Sequence, residues 1–516
     1  MPEAALKDHG LPPTPVPLEN HPADGLEKPM LPIVTSSGKE QWKGVRRIVI
    51  IGVHGWFPNA HVQKVIGAPR GSSYFASMMG QAVLAQFEAD FGVGQEAPEK
   101  VTYIPLDGEG TVQVRVEKLF KAYLTRPDWI RDVRRADAIF VAAHSQGTVV
   151  ATHLLSRLIG QGHIRTAHNV EAVDRCEWAF GSVAQPGSAL GGKNHPSYRN
   201  RDPRIGLLAM CGVHQGPFYS STTSTVIQPY LNWFENAAAR ELFDFQDGHS
   251  VVVTEYKKAL DTILHHGVKT IFLASLDDQM VPIYSATFAA ASHPLILRLL
   301  YVDAAIHSST DFMINLIVFC LMLRNAGLDD QGLIGHLSEA TAGAWRGAGH
   351  STPYEDPGAY AFMVKYLLST DSPVDAPFPE LKVEDFAVRD AKNDYELPWI
   401  LRGVMDDPDV KMLFDAEITE LKENILSWNP TTRALRDMKK RLEPMAGRAA
   451  LRQHQQKERL QRSSSFLSLA SSDGQAARRQ DELSSSPRSD GIQKKGLNVT
   501  VPTGKPARGE GGTVMA

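Results

Sequence analysis

Cysteine is scarce in this 516-residue chain: Cys176, Cys211 and Cys320 are widely spaced, odd in number and form no CxxC pair. That excludes a disulfide framework and a zinc module, and it suits a reducing compartment. Charge of one sign is lacking as well. Lys and Arg number 54 against 58 Asp and Glu, a formal net charge of -4, so no global field draws the chain to nucleic acid. Long hydrophobic runs are missing. The longest, residues 312–323, is well short of the roughly 20 residues that a bilayer requires and reads as a core helix. The first ten residues carry two acidic groups and no apolar segment of the signal-peptide kind, so a cytoplasmic location is expected. The sequon Asn498-Val499-Thr500 then has no secretory route to glycosylation.

What is present is globular composition, 43% hydrophobic, enough to bury a sizeable core. Residues 1–44 are rich in Pro, Gly and charge and read as a disordered arm. From residue 45 to 372 buried-strand runs alternate with helical spacing. The runs are residues 47–53, 101–105, 138–142, 206–213, 268–274 and 297–302, and the clearest helices are 147–159 and 312–324. Alternation of this kind predicts an α/β fold with a mainly parallel sheet flanked by helices, and functional groups at the carboxyl ends of the strands. Two insertions stand out, at about 182–204 and 218–266. The second holds Tyr219, Tyr230, Trp233, Phe234, Phe243 and Phe245, which suit either the core or an apolar cap over a pocket. Residues 373–444 read as a helical extension packed on the sheet domain, and 445–516 as a basic helix followed by a disordered Ser-rich tail. Between 433 and 462 ten Lys or Arg face Asp437, Glu443 and Glu458, a stretch suited to solvent or to peripheral contact with anionic lipid.

The strand ending at Ala142-Ala143 passes through His144-Ser145-Gln146-Gly147 directly into a helix. A serine on a sharp strand-to-helix turn needs small residues two positions to either side, and here these are Ala143 and Gly147. Ser145 is therefore the candidate nucleophile, although a serine there also suits a helix N-cap.

This elbow, with His54-Gly55-Trp56 at the end of the first strong strand, resembles the α/β-hydrolase superfamily of serine esterases and lipases over roughly residues 45–370. The segments L-D-D-Q-M-V-P-I-Y-S-A, G-A-G-H-S-T-P-Y and E-L-P-W-I-L-R-G-V are similar to a group of fungal α/β hydrolases. The resemblance implies an oxyanion hole made by the backbone N–H groups of Trp56 and Gln146, with Phe57, His144 and His214 lining the substrate pocket.

It also implies a triad in the chain order Ser, acid, His. An acid four residues before Pro282 in a D-x-x-V-P arrangement selects Asp278, with Asp277 as the alternative. The base is expected on the loop after the next strand, which selects His307. His350, between Gly349 and Ser351, is its rival, and Asp311 could contact either. Such a triad cleaves a carboxylic ester or thioester, here of a lipid or apolar acyl group, with no metal and no organic cofactor. Acyl transfer to an alcohol would use the same residues, and an inactive scaffold with functional tails is the reading from a different class.

Overall fold

Continuous aliphatic runs need cover on both faces, and a parallel sheet between helical layers supplies it. The computed structural model describes residues 42, 44–55, 70–92, 98–180, 202–218, 237–307, 311–338, 341, 349–370, 379–386, 393, 395–430, 432–446 and 513–515. Within these the strands are β1 (Arg47–Val53), β2 (Lys100–Leu106), β3 (Ala138–His144), β4 (Arg204–Met210), β5 (Lys269–Ser275), β6 (Ala291–Ser292), β7 (Ile296–Val302), β8 (Lys382–Val383) and β9 (Thr513–Met515). The main sheet has the order β2-β1-β3-β4-β5-β7-β9 and is parallel except at its last pair. Short β6 and β8 pair separately.

The two faces follow from the two-residue period of each strand. Val49, Ile51 and Val53 of β1 and Ile139, Val141 and Ala143 of β3 share one core cluster. Ile48 and Ile50, with Ala138, Phe140 and Ala142, belong to the other. Helices Val112–Leu124, Gln146–Gly160, Val251–His265 and Phe312–Asn325 cover the first face, and Ser72–Phe91 and Pro357–Ser369 the second. The apolar run at 312–325 is thus a core helix, and no helix among the described residues is long and apolar enough to cross a membrane.

The expected strands are all present. The run at 206–213 ends early, because Cys211 leaves the sheet with φ 49. Helices Leu397–Asp406, Pro408–Ser427 and Arg433–Leu442 insert Leu401, Val404, Phe414, Ile418, Ile425 and Leu442 into the first cluster. Phe414 meets Phe319 edge-on at 6.1 Å, and Trp428 lies 5.1 Å from Phe312.

The tail differs from expectation at its end. Thr513–Met515 pairs antiparallel with β7, Leu300 opposite Met515 and Val302 opposite Thr513, because an open edge offers unpaired backbone groups to any short extended segment. Residues 181–201, nearly all of the first expected insertion, 219–236, the first part of the second, and 447–512 of the tail lie outside the described residues, while the rest of the second insertion forms helices Ala237–Asp244 and Val251–His265. Of the aromatic group, Phe245 is fully buried in the core.

All six longer parallel strands point one way, so one edge of the sheet gathers the residues that follow β1, β3, β4, β5 and β7. Strand order reverses between β1 and β3, where the Ser72–Phe91 and Gln146–Gly160 helices depart to opposite faces. Such a reversal opens a crevice at the carboxyl ends.

Candidate active site

β3 is buried to its last residue, and the chain then turns at Ser145 with φ 55 and ψ -131. A non-glycine residue held there stores roughly 1–3 kcal/mol of strain. Neighbouring bonds hold it: the Ser145 N–H donates to Met210 O at 2.9 Å, and Ser145 O accepts from the Thr148 N–H at 3.0 Å and from Thr148 Oγ1 at 2.7 Å. Ser145 stands before the Gln146–Gly160 helix, yet its side chain makes no capping hydrogen bond. A cap is therefore not what this serine is doing. The need for small neighbours is measurable. A Cβ on Gly147 would stand 2.2 Å from His54 O, and one on Gly55 would stand 3.0 Å from Ser145 Cβ.

Gln146 opens the helix, so its backbone N–H has no intrahelical acceptor. Its side chain is committed, with Nε2 donating to Gly110 O at 3.3 Å and Oε1 accepting from Arg115 Nη1 at 2.8 Å. Arg115 Nη2 also donates to His54 O at 2.6 Å. His54 Nδ1 faces its acceptor Gly55 O, while Nε2 accepts from the Gly108 N–H at 3.1 Å. Burial, then the Arg115 guanidinium, lowers His54 to about 4, so the ring is neutral at pH 7. Trp56 and Phe57 lie outside the described residues.

Beyond β5 the two adjacent aspartates diverge. Asp278 is buried. Its Oδ1 accepts from the N–H groups of Met280 at 2.7 Å and Val281 at 2.9 Å, and its Oδ2 lies 2.8 Å from His350 Nδ1. Asp277 is partly exposed and takes His307 Nε2 at 2.8 and 2.7 Å on its two oxygens. The histidine on Asp278 is thus His350, and His307, which sequence order favoured for that place, is paired with the neighbouring carboxylate. Local packing explains the exchange. A Cβ on residue 349 would stand 1.9 Å from Asp277 O, so glycine alone lets this loop lie on the Asp277–Asp278 backbone and present the next side chain to Asp278. The His350 N–H donates to Gln279 Oε1 at 3.1 Å and fixes it further. Asp311 caps the following helix through the Met313 N–H at 2.8 Å.

Two of the residues expected to line the pocket, His144 and His214, are described, and both are buried. His144 is buried and donates from Nε2 to His350 O at 2.8 Å, with Tyr354 edge-on at 4.8 Å. It ties the elbow to the histidine loop. His214 is fully buried among Tyr256, Phe272 and Phe288, bonded to the Tyr256 hydroxyl at 2.7 Å. Gly212 leaves room for that ring, since a Cβ there would stand 2.2 Å from His214 Nε2.

Cys211 and Arg115 were missed from sequence. The Cys211 thiol hydrogen-bonds Asp278, and burial first, then that carboxylate, pushes it well above the usual thiol range. Its signal was its place directly after the strand beside β3. Among the described residues His144, Cys211 and His350 have donor atoms within 4.8 Å of one another, a spacing a metal ion could use. His350 Nδ1 and the Cys211 thiol are both turned to Asp278, and His144 Nε2 to His350 O.

The family model described as YMC0/YMC35 alpha/beta hydrolase domain matches residues 34–177 and 200–408, well over half of the chain. The chain belongs to that family. No curated protein matches it. Among solved structures, Phospholipase PlaB from Legionella pneumophila is similar at TM-score 0.27 and 12% identity, over 51% of this chain and 48% of that one. The chain spans about half the length of that structure.

Proposed function

From membership of an α/β-hydrolase family and the geometry at the strand ends, we propose that the protein is a serine hydrolase with Ser145 as nucleophile, His350 as base and Asp278 as orienting acid. The observation that carries the reading is the buried Asp278–His350 pair. Its histidine loop is tied by His144 to a serine elbow held at positive φ. With Nδ1 donating to Asp278, His350 Nε2 is left to accept the Ser145 hydroxyl proton as Oγ attacks a substrate carbonyl. The backbone N–H groups of Gln146 and Trp56 are the proposed donors to the resulting oxyanion. Collapse of the tetrahedral species breaks the acyl–oxygen or acyl–sulfur bond, and the leaving group takes the proton back from His350. Water then repeats the sequence on the acyl-enzyme and regenerates Ser145. An alcohol in place of water gives acyl transfer by the same steps.

We assign the substrate class as an ester or thioester of a lipid or other apolar acyl group. A fluorophosphonate probe tests the chemistry. It should label the wild-type protein and fail on Ser145→Ala, and p-nitrophenyl esters of increasing chain length should show rising kcat/KM. Folded wild-type protein that takes no label would sink the proposal and leave the scaffold reading.

A further inference from the structure

Arg115 lies on the apolar side of the Val112–Leu124 helix, in line with Val112 and Leu119, and none of its surface reaches solvent. A charge in that position is costly unless hydrogen bonds and fixed dipoles replace water. Among the described residues no carboxylate forms an ion pair with it. Asp107 and Glu109 face it from longer range. Its bonds go to His54 O at 2.6 Å and Gln146 Oε1 at 2.8 Å, and its Nε has no hydrogen-bond partner among the described residues. Both contacts fall on segments proposed above to carry the oxyanion donors. One is Gln146 itself, and the other is the His54–Gly55 turn that leads to Trp56.

We infer that Arg115 is a positioning residue of the site, bracing Gln146 and the His54–Gly55 backbone and setting a buried positive charge behind them. This inference rests on the serine-hydrolase reading. Charge develops on the carbonyl oxygen only as the carbon becomes tetrahedral, so a fixed cation in a low-dielectric setting favours the transition state over bound substrate. Its loss should therefore fall on kcat and spare KM. Burial lowers the guanidinium to about 10, which leaves it charged at neutral pH. Asp107 is itself held by Ser72 Oγ at 2.6 Å, and Glu109 offers its backbone carbonyl to Lys118 Nζ at 2.8 Å.

The test compares full-length wild type with Arg115→Met and Arg115→Lys on p-nitrophenyl butyrate. Active sites are counted by fluorophosphonate labelling run to completion. Per labelled site, kcat should fall about 100-fold in Arg115→Met, the order expected for losing an oxyanion-hole contact, with KM within about threefold. Arg115→Lys, which restores charge and one bond, should recover about tenfold of that. Affinity for a trifluoromethyl ketone with the same acyl chain should weaken in step with kcat. A purely structural clamp would lower the Tm and the number of labelled sites, yet leave kcat per site and ketone affinity at wild-type values. That result overturns the inference. Should Arg115→Met fail to fold, wild-type kcat and ketone affinity in Arg115→Lys would overturn it equally. An unlabelled wild type overturns the hydrolase reading itself, an outcome distinct from active wild type with unaffected variants.

Discussion

Asp277 and Asp278 follow one another in the chain, yet one holds His307 near the surface and the other holds His350 in the interior. The two pairs should part company experimentally. His350→Ala is expected to cut kcat by about 1,000-fold, the range for loss of a general base, while His307→Asn keeps kcat within about threefold. The His307 variant should instead alter stability with pH. Its hydrogen bond to Asp277 raises the histidine above the ordinary value of 6.5, against a smaller opposing effect of burial. A raised folded-state value means that the stabilisation is complete below about 6.5 and is lost as pH rises through the folded value. Thermal melts should therefore show His307→Asn less stable than wild type near pH 5.5, with the gap closing by about pH 9. A gap that stays constant with pH would show that the pair does not titrate. The sequence located both histidines and both aspartates but not their pairing. Order along the chain does not say to which side of a turn each of two consecutive side chains projects.

At the scale of elements the sequence was legible wherever burial imposes a pattern. Strands covered on both faces must be aliphatic, and β1 coincides with its run of residues 47–53. The elbow was legible because the end of β1 packs so closely on the helix start that Gly147 has no room for a Cβ. Arg115 left a trace as well, a lone cation at i+3 from Val112 and i−4 from Leu119 on an apolar stripe. The loop that presents His350 obeys no period, so only its glycines marked it. Gly349→Ala puts that loop to the test. The clashing atom is a backbone oxygen of Asp277 at 1.9 Å, which cannot rotate aside, so the loop must lift and draw His350 from Asp278. We expect kcat to fall at least about 50-fold. Unfolding stability should drop by about 1–3 kcal/mol, as for other overpacked sites. A wild-type kcat in this variant would mean that the Asp278–His350 bond is dispensable.

For the whole molecule, the consequence of burying histidines is a fold that acid should undo. His54, His163 and His214 are each about 1% exposed or less, and burial foremost lowers them to about 4, 4 and 3. His144, also buried, is lowered well below its ordinary value. In each the folded state excludes the proton that the unfolded chain binds below about 6.5. The unfolded state therefore binds more protons between that value and the folded ones, and stability falls as pH falls. Each group contributes about 1.4 kcal/mol per pH unit in that window, so the first three together approach about 4 kcal/mol per unit near pH 5. Total stabilities are only about 5–15 kcal/mol, so unfolding should set in within one or two units below pH 6. His214→Phe isolates one share of this slope. The new ring keeps the stacking on Tyr256 and Phe288 and gives up the bond to the Tyr256 hydroxyl at 2.7 Å, a loss of about 1 kcal/mol. Urea midpoints should place the variant slightly below wild type at pH 7.5 and above it at pH 5, because it has one proton fewer to exclude. Parallel curves across that range would show that His214 takes up its proton without unfolding, through an opening of the aromatic cluster around it.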